Sequence, residues 1–302
     1  MTTRTCRQEA PNPRYSVVIP TLNEGEMLHM TVDSVLSCVG HGGVEVIVVD
    51  DGSTDGSPQP YLGREPYVSV LRGDHLGVGG ARNLGARNAR GTYVVFLDAH
   101  CRVEEGWLER MGAVLELPGA GLVAPSITRL NEREPRGCGM TWLSPILETA
   151  WLIPDAGLDH YPVPLAPGGC QAFRRDTFNY LGGYDEGLVR WGFEDIELSV
   201  RVWLLGLMVM ACPSVVVAHW FRDARKFEVT DETVFLNFLR FIHLHFSAPR
   251  IRRILRAASR VYALGKALDL VYESDVFVRR RYWAQRRVYT DDWFVSTFGL
   301  PV

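Results

Sequence analysis

Asp98 and His100 stand two residues apart after the run Thr92-Tyr93-Val94-Val95-Phe96-Leu97, whose β-branched and aromatic residues read as a buried strand. At that spacing both side chains leave the sheet together, and the crevice beyond the carboxyl ends of the strands is where open α/β sheets bind ligands. A carboxylate and an imidazole placed there are a potential ligand pair for a divalent cation. An isolated Asp-x-His reads as readily as a loop aspartate beside a surface histidine, so the metal assignment leans on the rest of the chain. His219 follows the apolar run Val215-Val216-Val217-Ala218 and is a third ligand candidate, with a hydrogen-bonded strand-end histidine as the alternative.

Other polar residues fall at the ends of expected elements. Asp50 and Asp51 close the run Val44 to Val49 and meet the turn Gly52-Ser53-Thr54-Asp55, where Asp50 and Asp55 read equally as turn chemistry. Gly77, Gly79 and Gly80 lead into a helix with Arg82 one turn inside. Backbone N–H groups and a guanidinium suit phosphate there, and a surface helix arginine is the plainer reading. Gly168 and Gly169 open a strand and permit either close backbone approach or a bulge. Trp191 precedes Glu194, Asp195 and Glu197, acids in a first helical turn that the helix dipole stabilises.

The elements that must position these residues alternate. Tyr15 to Pro20 is a first strand, Thr21 to Gly25 a polar loop, and about Glu26 to Val39 a helix turning Met27, Met30, Val35 and Leu36 to the sheet. Strands at Val44 to Val49 and Val68 to Leu71, the glycine-led helix and the strand before Asp98 complete four βα units. That succession implies an α/β, Rossmann-like, doubly wound and mostly parallel sheet with right-handed crossovers. Gly121 to Ile127 reads as a further strand and Thr128 to Pro167 as a long loop.

From about Asp223 the spacing becomes helical. Leu239, Ile242, Ile251, Ile254, Leu255 and Leu264 recur among Arg240, Arg250, Arg252, Arg253, Arg256 and Arg260, and Arg279 to Arg281, Arg286 and Arg287 follow. This basic part reads first as a solvated helix face packing back on the sheet; contact with an acidic acceptor or a membrane surface is the other use. The expected division is therefore 14–222 for the sheet domain and 223–302 for a helical C-terminal extension.

The 302 residues can bury a substantial core, and 47% hydrophobic residues with mean hydropathy near zero indicate a globular protein. A formal charge of −3 gives no global attraction to nucleic acid. Six cysteines without CxxC spacing read as reduced structural thiols rather than a zinc site or disulfide framework. The polar opening, Met1 to Arg14, and the lack of any apolar run long enough to span a bilayer lead to the expectation of a cytoplasmic protein.

Val17-Val18-Ile19-Pro20-Thr21-Leu22-Asn23-Glu24, Asp50 to Asp55, Gly79-Gly80-Ala81-Arg82-Asn83-Leu84-Gly85-Ala86 and Phe96 to His100 occur in one order. The ordered set resembles family 2 glycosyltransferases of the GT-A fold over roughly Arg14 to Arg222. Phe96 to Cys101 and His219-Trp220-Phe221-Arg222 are most similar to the polypeptide N-acetylgalactosaminyltransferases, whose metal is held by Asp-x-His and a distant His. Trp191-Gly192-Phe193-Glu194-Asp195 resembles instead the Trp-Gly-Gly-Glu-Asp segment of the inverting β-1,4-galactosyltransferases. The retaining polypeptide transferases carry Asn where this chain has Asp195.

The resemblance implies a hexosyltransferase taking a UDP-sugar donor, with Mn2+ or Mg2+ held by Asp98, His100 and His219 against the leaving diphosphate. Thr21, Glu24 and Asp51 would hold the nucleoside, Arg82 the diphosphate, and Gly168 and Gly169 the donor sugar. Trp191 and Glu194 would meet sugar and acceptor, and Asp195 would act as general base on an acceptor hydroxyl or thiol, giving inversion. The acceptor stays open among a peptide, a glycan and a small natural product. Retaining transfer to peptide Ser or Thr, and a noncatalytic sugar-nucleotide-binding module, are the alternatives.

Overall fold

The computed structural model describes residues 13–38, 43–64, 67–132, 134–155, 157–222, 230–259 and 265–302. Cys6, Val39, Asp223, Lys226, Arg260 and Leu264 lie outside the described residues.

The first half alternates as its apolar spacing requires: β1 (Tyr15–Thr21), α1 (Glu26–Ser37), β2 (Val44–Asp50), β3 (Val68–Arg72), α2 (Gly77–Asn88) and β4 (Tyr93–Leu97). The four strands are parallel in the spatial order β3-β2-β1-β4. β1, β2 and β4 are covered on both faces, hence their near-continuous apolar sequences. Pro20 is tolerated in a central strand because the ladder between β1 and β4 runs only from Tyr15 to Val18, so the missing N–H faces no β4 carbonyl. On α1 the buried residues are Leu28, Thr31, Val32 and Val35, whereas Met27, Met30 and Leu36 are half-buried. The inward stripe thus lies about one residue away from the expected one.

The second half is more broken. β5 (Cys101–Arg102), α3 (Trp107–Leu115) and β6 (Ala120–Arg129) precede four short strands, β7 (Pro135–Cys138), β8 (Met140–Trp142), β9 (Thr149–Trp151) and β10 (Tyr161–Pro162). The expected long loop from Thr128 to Pro167 is therefore corrected to a stretch of two- to four-residue strands, too short to show a period in sequence. β11 (Cys170–Arg174), α4 (Arg175–Tyr180), α5 (Glu194–Leu204) and β12 (Met208–His219) follow. β11 runs antiparallel between β4 and β6, and β12 lies parallel to β6, giving the order β10-β12-β6-β11-β4-β1-β2-β3.

Among the described residues five helices follow: α6 (Asp231–His245), α7 (Ala248–Ala258), α8 (Gly265–Glu273), α9 (Val276–Ala284) and α10 (Asp291–Phe298). Thr230 and Thr290 cap α6 and α10 by accepting the N–H of Thr233 and Trp293. Phe241, Phe246 and Phe294 share one core with Phe96, Tyr184 and Trp203, on the sheet face opposite Leu28, Trp107 and Leu108. The expectation of a solvated basic face is corrected for three arginines. Arg240 pairs with Asp185, Arg250 with Asp291, and Arg287 donates to the carbonyls of Leu244 and His245. Cys38, Cys101, Cys138, Cys170 and Cys212 carry free thiols.

The joint between α5 and the last helices is ionic. Glu197 and Arg201 pair one turn apart, His245 Nε2 lies 2.7 Å from Glu197, and the Arg201 guanidinium sits 4.8 Å over Trp283. Burial pushes the Glu197 carboxyl up, but Arg201 and His245 outweigh it and hold it at about 2 instead of the ordinary 4.5. Glu197→Ala strands Arg201 in the core and is expected to cost ~3–5 kcal/mol in urea unfolding. A depressed carboxyl stabilises the fold above its unfolded value. Wild-type stability should therefore fall as pH drops from 4.5 toward about 2, and the fall should be shallower in the Ala variant, which keeps only the shares of other depressed carboxyls such as Asp98 and Asp291.

Candidate active site

Thr21, Glu24, Asp51, Arg82, Asp98, His100, Gly168, Gly169, Trp191, Glu194, Asp195 and His219 all line one cleft of about 810 Å3. It opens where Thr21 ends β1 and where Asp51 and Asp98 follow β2 and β4. β12 reaches the same place because its last residue, His219, pairs with Cys101 of β5. Parallel strands thus deliver residues far apart in sequence to one edge of the sheet.

Nε2 of His219 lies 3.4 Å from Asp98 Oδ2, and the His100 and His219 rings meet edge to face at 4.6 Å. One ligand atom from each of Asp98, His100 and His219 falls within 4.8 Å of the others, so the group can hold a metal ion. Burial pushes the Asp98 carboxyl up, yet the hydrogen bond to His219 and the charges of Arg82 and His100 hold it well below the usual carboxylate range. Burial lowers His219, favouring the neutral imidazole that ligates metals. Gly169 keeps the approach open, since a Cβ there would stand 3.0 Å from His219 Cδ2. Glu24 meets Arg222 and lies 3.4 Å from His100 Nδ1. That places a carboxylate behind a candidate ligand, as in many metal sites.

Arg82 is the hub of the far wall. It is 1% exposed, and its guanidinium donates to Asp98 Oδ1 at 2.8 Å, the Gly168 carbonyl at 2.7 Å and Glu194 Oε1 at 3.3 Å. Tyr184 lies under it at 5.3 Å. Arg82, expected on a diphosphate, is thus committed largely to protein groups, and Glu194 is turned toward it and toward the Gly192 N–H rather than across the cleft.

Asp195 is placed differently. Its Oδ2 accepts the Gly168 N–H at 2.9 Å and its Oδ1 the Ile196 N–H at 2.8 Å. Burial pushes its carboxyl up and the neighbouring Glu194 adds to the rise, so it is a stronger base than an ordinary aspartate. A Cβ at Gly168 would meet this carboxylate at 3.1 Å. The two glycines therefore form a bare strip between Asp195 and the group Asp98, His100 and His219.

On the opposite wall, Asp51 accepts the N–H groups of Leu76 and Gly77 at 2.7 and 2.9 Å, which fixes the entry to α2. Among the described residues, the hydroxyl of Thr21, Nε of Arg82, Nδ1 of His219 and Nε of Arg222 are buried at the cleft without a hydrogen-bond partner. Such atoms cost ~1–3 kcal/mol each and suit a wall that meets a polar ligand. Strain collects here too. Among the described residues the non-glycine positive φ values are at Asn23, His75, Leu147, Arg190 and Phe193; four of these line the cleft, and Asn23 sits between Leu22 and Glu24, which do. Each costs ~1–3 kcal/mol, which tertiary contacts must offset.

Several cleft residues lay outside the expected set. Trp151 and Phe221 line it, as do His75 and Phe193. A strained non-glycine residue carries no signature in sequence. Arg222 was legible only as company for His219.

Residues 16–182 match the family model described as glycosyl transferase family 2, and residues 159–221 match one described as the N-terminal domain of galactosyltransferase. The chain is 34% identical over 232 residues to polypeptide N-acetylgalactosaminyltransferase 12 of Mus musculus, covering 69% of this chain and 40% of that protein. It is 34% identical over 240 residues to polypeptide N-acetylgalactosaminyltransferase 3 of Homo sapiens, covering 70% and 37%. The chain spans about two fifths of the length of these curated relatives. Its fold is similar to a crystal structure of GalNAc-T7 with UDP, GalNAc and Mn2+, with TM-score 0.79 and 22% identity over 96% of this chain and 57% of that one. It is also similar to a mannosyltransferase from Pyrobaculum calidifontis in complex with GDP-Man and Mn2+, with TM-score 0.55 and 18% identity over 95% and 86%. With its parallel β3-β2-β1-β4 half-sheet and its strand-end cleft, the chain belongs to glycosyl transferase family 2 and has the GT-A fold.

Proposed function

We propose that the protein is a metal-dependent, inverting glycosyltransferase that moves a sugar from a UDP-sugar to an acceptor hydroxyl or thiol. The observation that carries this reading is the cleft itself, which brings together three side chains able to hold a metal ion and, across the bare Gly168-Gly169 strip, a carboxylate of raised basicity. UDP and Mn2+ in a structure of the same fold support the donor and cation.

Asp98, His100 and His219 would hold Mn2+ or Mg2+, which supplies Lewis-acid neutralisation of the departing diphosphate. Thr21, with its unpartnered hydroxyl, and Asp51 seat the nucleoside. Glu24 orients His100. Arg82 acts on the donor through Asp98 and Gly168 and holds Glu194 in place. The donor sugar lies against Gly168 and Gly169, with Trp191 at its edge. Asp195 takes the acceptor proton as oxygen or sulfur strikes the anomeric carbon from the face opposite the nucleotide, and the configuration inverts. A second reading, retaining transfer to peptide Ser or Thr, draws on the polypeptide transferases among the relatives. NMR of the product decides between them: a β-linked product from an α-linked donor supports inversion, and an α-linked product supports retention.

Asp98→Ala is expected to lower Mn2+-dependent UDP release by ~100-fold or more, checked with and without EDTA. Asp195→Asn should leave UDP and Mn2+ affinity unchanged in calorimetry and reduce transfer by ~100- to 10,000-fold. The acid limb of the wild-type pH profile should lie above the ordinary carboxylate range, because Asp195 must be deprotonated and its proton is held more tightly than usual. Gly169→Ala brings a methyl against His219 and should weaken Mn2+ binding by ~10-fold.

A further inference from the structure

The turn between Asp185 and Phe193 separates α4 from the start of α5 and carries Trp191, Gly192 and two strained residues, Arg190 and Phe193. A loop holding such backbone needs outside support, and the support comes from α6 in the C-terminal helices. Asn237 is completely buried there, and the four hydrogen bonds of its side chain amide to this loop use both ends of the group. Its Oδ1 accepts the Val189 N–H at 2.8 Å, and its Nδ2 donates to the carbonyls of Val189 at 2.9 Å, Trp191 at 3.2 Å and Gly192 at 2.9 Å. One N–H donor on one side and three carbonyls on the other leave a single amide orientation, so the clamp is specific to asparagine chemistry.

The neighbouring turn of the same helix grips the near end of the loop. Arg240 donates to both oxygens of Asp185 at 2.7 and 2.9 Å, and a Cβ at Gly187 would strike its guanidinium. Beyond the clamp, the Arg190 carbonyl accepts the Val78 N–H at 2.8 Å, and the Gly192 N–H reaches Glu194 at 2.9 Å. Asn237 is therefore linked through one short loop to α2, to Trp191 and to the Glu194-Asp195 start of α5; Thr21, Asp98, His100 and His219 stand on other elements, and α2 is held at its entry by Asp51 and through Arg82 by Asp98, independently of the loop.

We infer that Asn237 is a positioning residue: through the 189–192 loop it sets Trp191 and the Glu194 turn for the sugar and acceptor, leaving nucleotide and metal binding alone. This gives the C-terminal helices a part in turnover, and it rests on the transferase reading. Asparagine to aspartate keeps the volume and the bond from Val189 but replaces the donor with an acceptor facing three carbonyls. Asparagine to alanine removes both.

The test uses the full chain as wild type, Asn237→Ala, Asn237→Asp, Trp191→Phe and the Trp191→Phe, Asn237→Ala pair. Hydrogen exchange should rise at least tenfold in 186–193 for both Asn237 variants and stay unchanged in β1, β2 and β4. Calorimetry with UDP and Mn2+ should give Kd within twofold of wild type, while kcat/KM for UDP-sugar turnover falls at least tenfold. The Trp191→Phe and Asn237→Ala losses should be non-additive, since both act at one place. Unchanged exchange in the loop, or a fall in UDP affinity matching the fall in turnover, would overturn the positioning role. If wild type binds UDP and turns over no UDP-sugar, the transferase reading fails, whereas a local rise in exchange would still show the clamp and its absence would remove it.

Discussion

The guanidinium of Arg82 is the charge around which the cleft is balanced. It is buried against Asp98 and Glu194 and accepts no water-like compromise, being 1% exposed. The paired acids keep it ionised, and its charge helps hold the Asp98 carboxyl below the usual carboxylate range. Asp195 shares the same buried region but is hydrogen-bonded through backbone N–H groups from Gly168 and Ile196, and among the described residues it has no ion pair. One arginine thus serves two carboxylates, and the third is left basic. The same arithmetic of charge favours a divalent ion near Asp98, which the two histidines are placed to share.

Backbone geometry does the rest. The Gly168 carbonyl accepts from Arg82, its N–H donates to Asp195, and the Asp98 N–H donates to the Gly169 carbonyl at 3.0 Å. A two-residue strip without side chains therefore connects the cation cluster, the buried arginine and the candidate base. The helices after β12 share the core beneath this arrangement and hold α5 through Glu197, Arg201 and His245. The start of α5 is consequently anchored at its acidic end by Arg82 and one turn later by an ionic network, so its first turn has little freedom to swing.

Much of this was legible in the residues. The apolar runs before Asp51, Asp98 and His219 placed three strand ends, and parallel topology then required them to meet; the family resemblance added order to motifs that are individually weak. Other features left no trace. Positive φ at Arg190 and Phe193 is imposed by tertiary contact and involves no glycine. Strands as short as β10 show no alternation. The antiparallel insertion of β11 depends on a partner far away in sequence, and arginines such as Arg240 look like surface charge until Asp185 is found beside them. Arg82 illustrates the general difficulty, because its residue type suggested a ligand contact, whereas its burial shows a group holding other groups in place.

The central claim is that Asp98, His100 and His219 share one cation with the diphosphate of the donor. Pulsed electron paramagnetic resonance of Mn2+ bound to the protein reads this directly through nuclear couplings. Two imidazole nitrogen couplings, joined by phosphorus coupling when UDP is added, are the expected result. A spectrum of hydrated Mn2+ without nitrogen coupling, in the presence of bound UDP, would contradict the account.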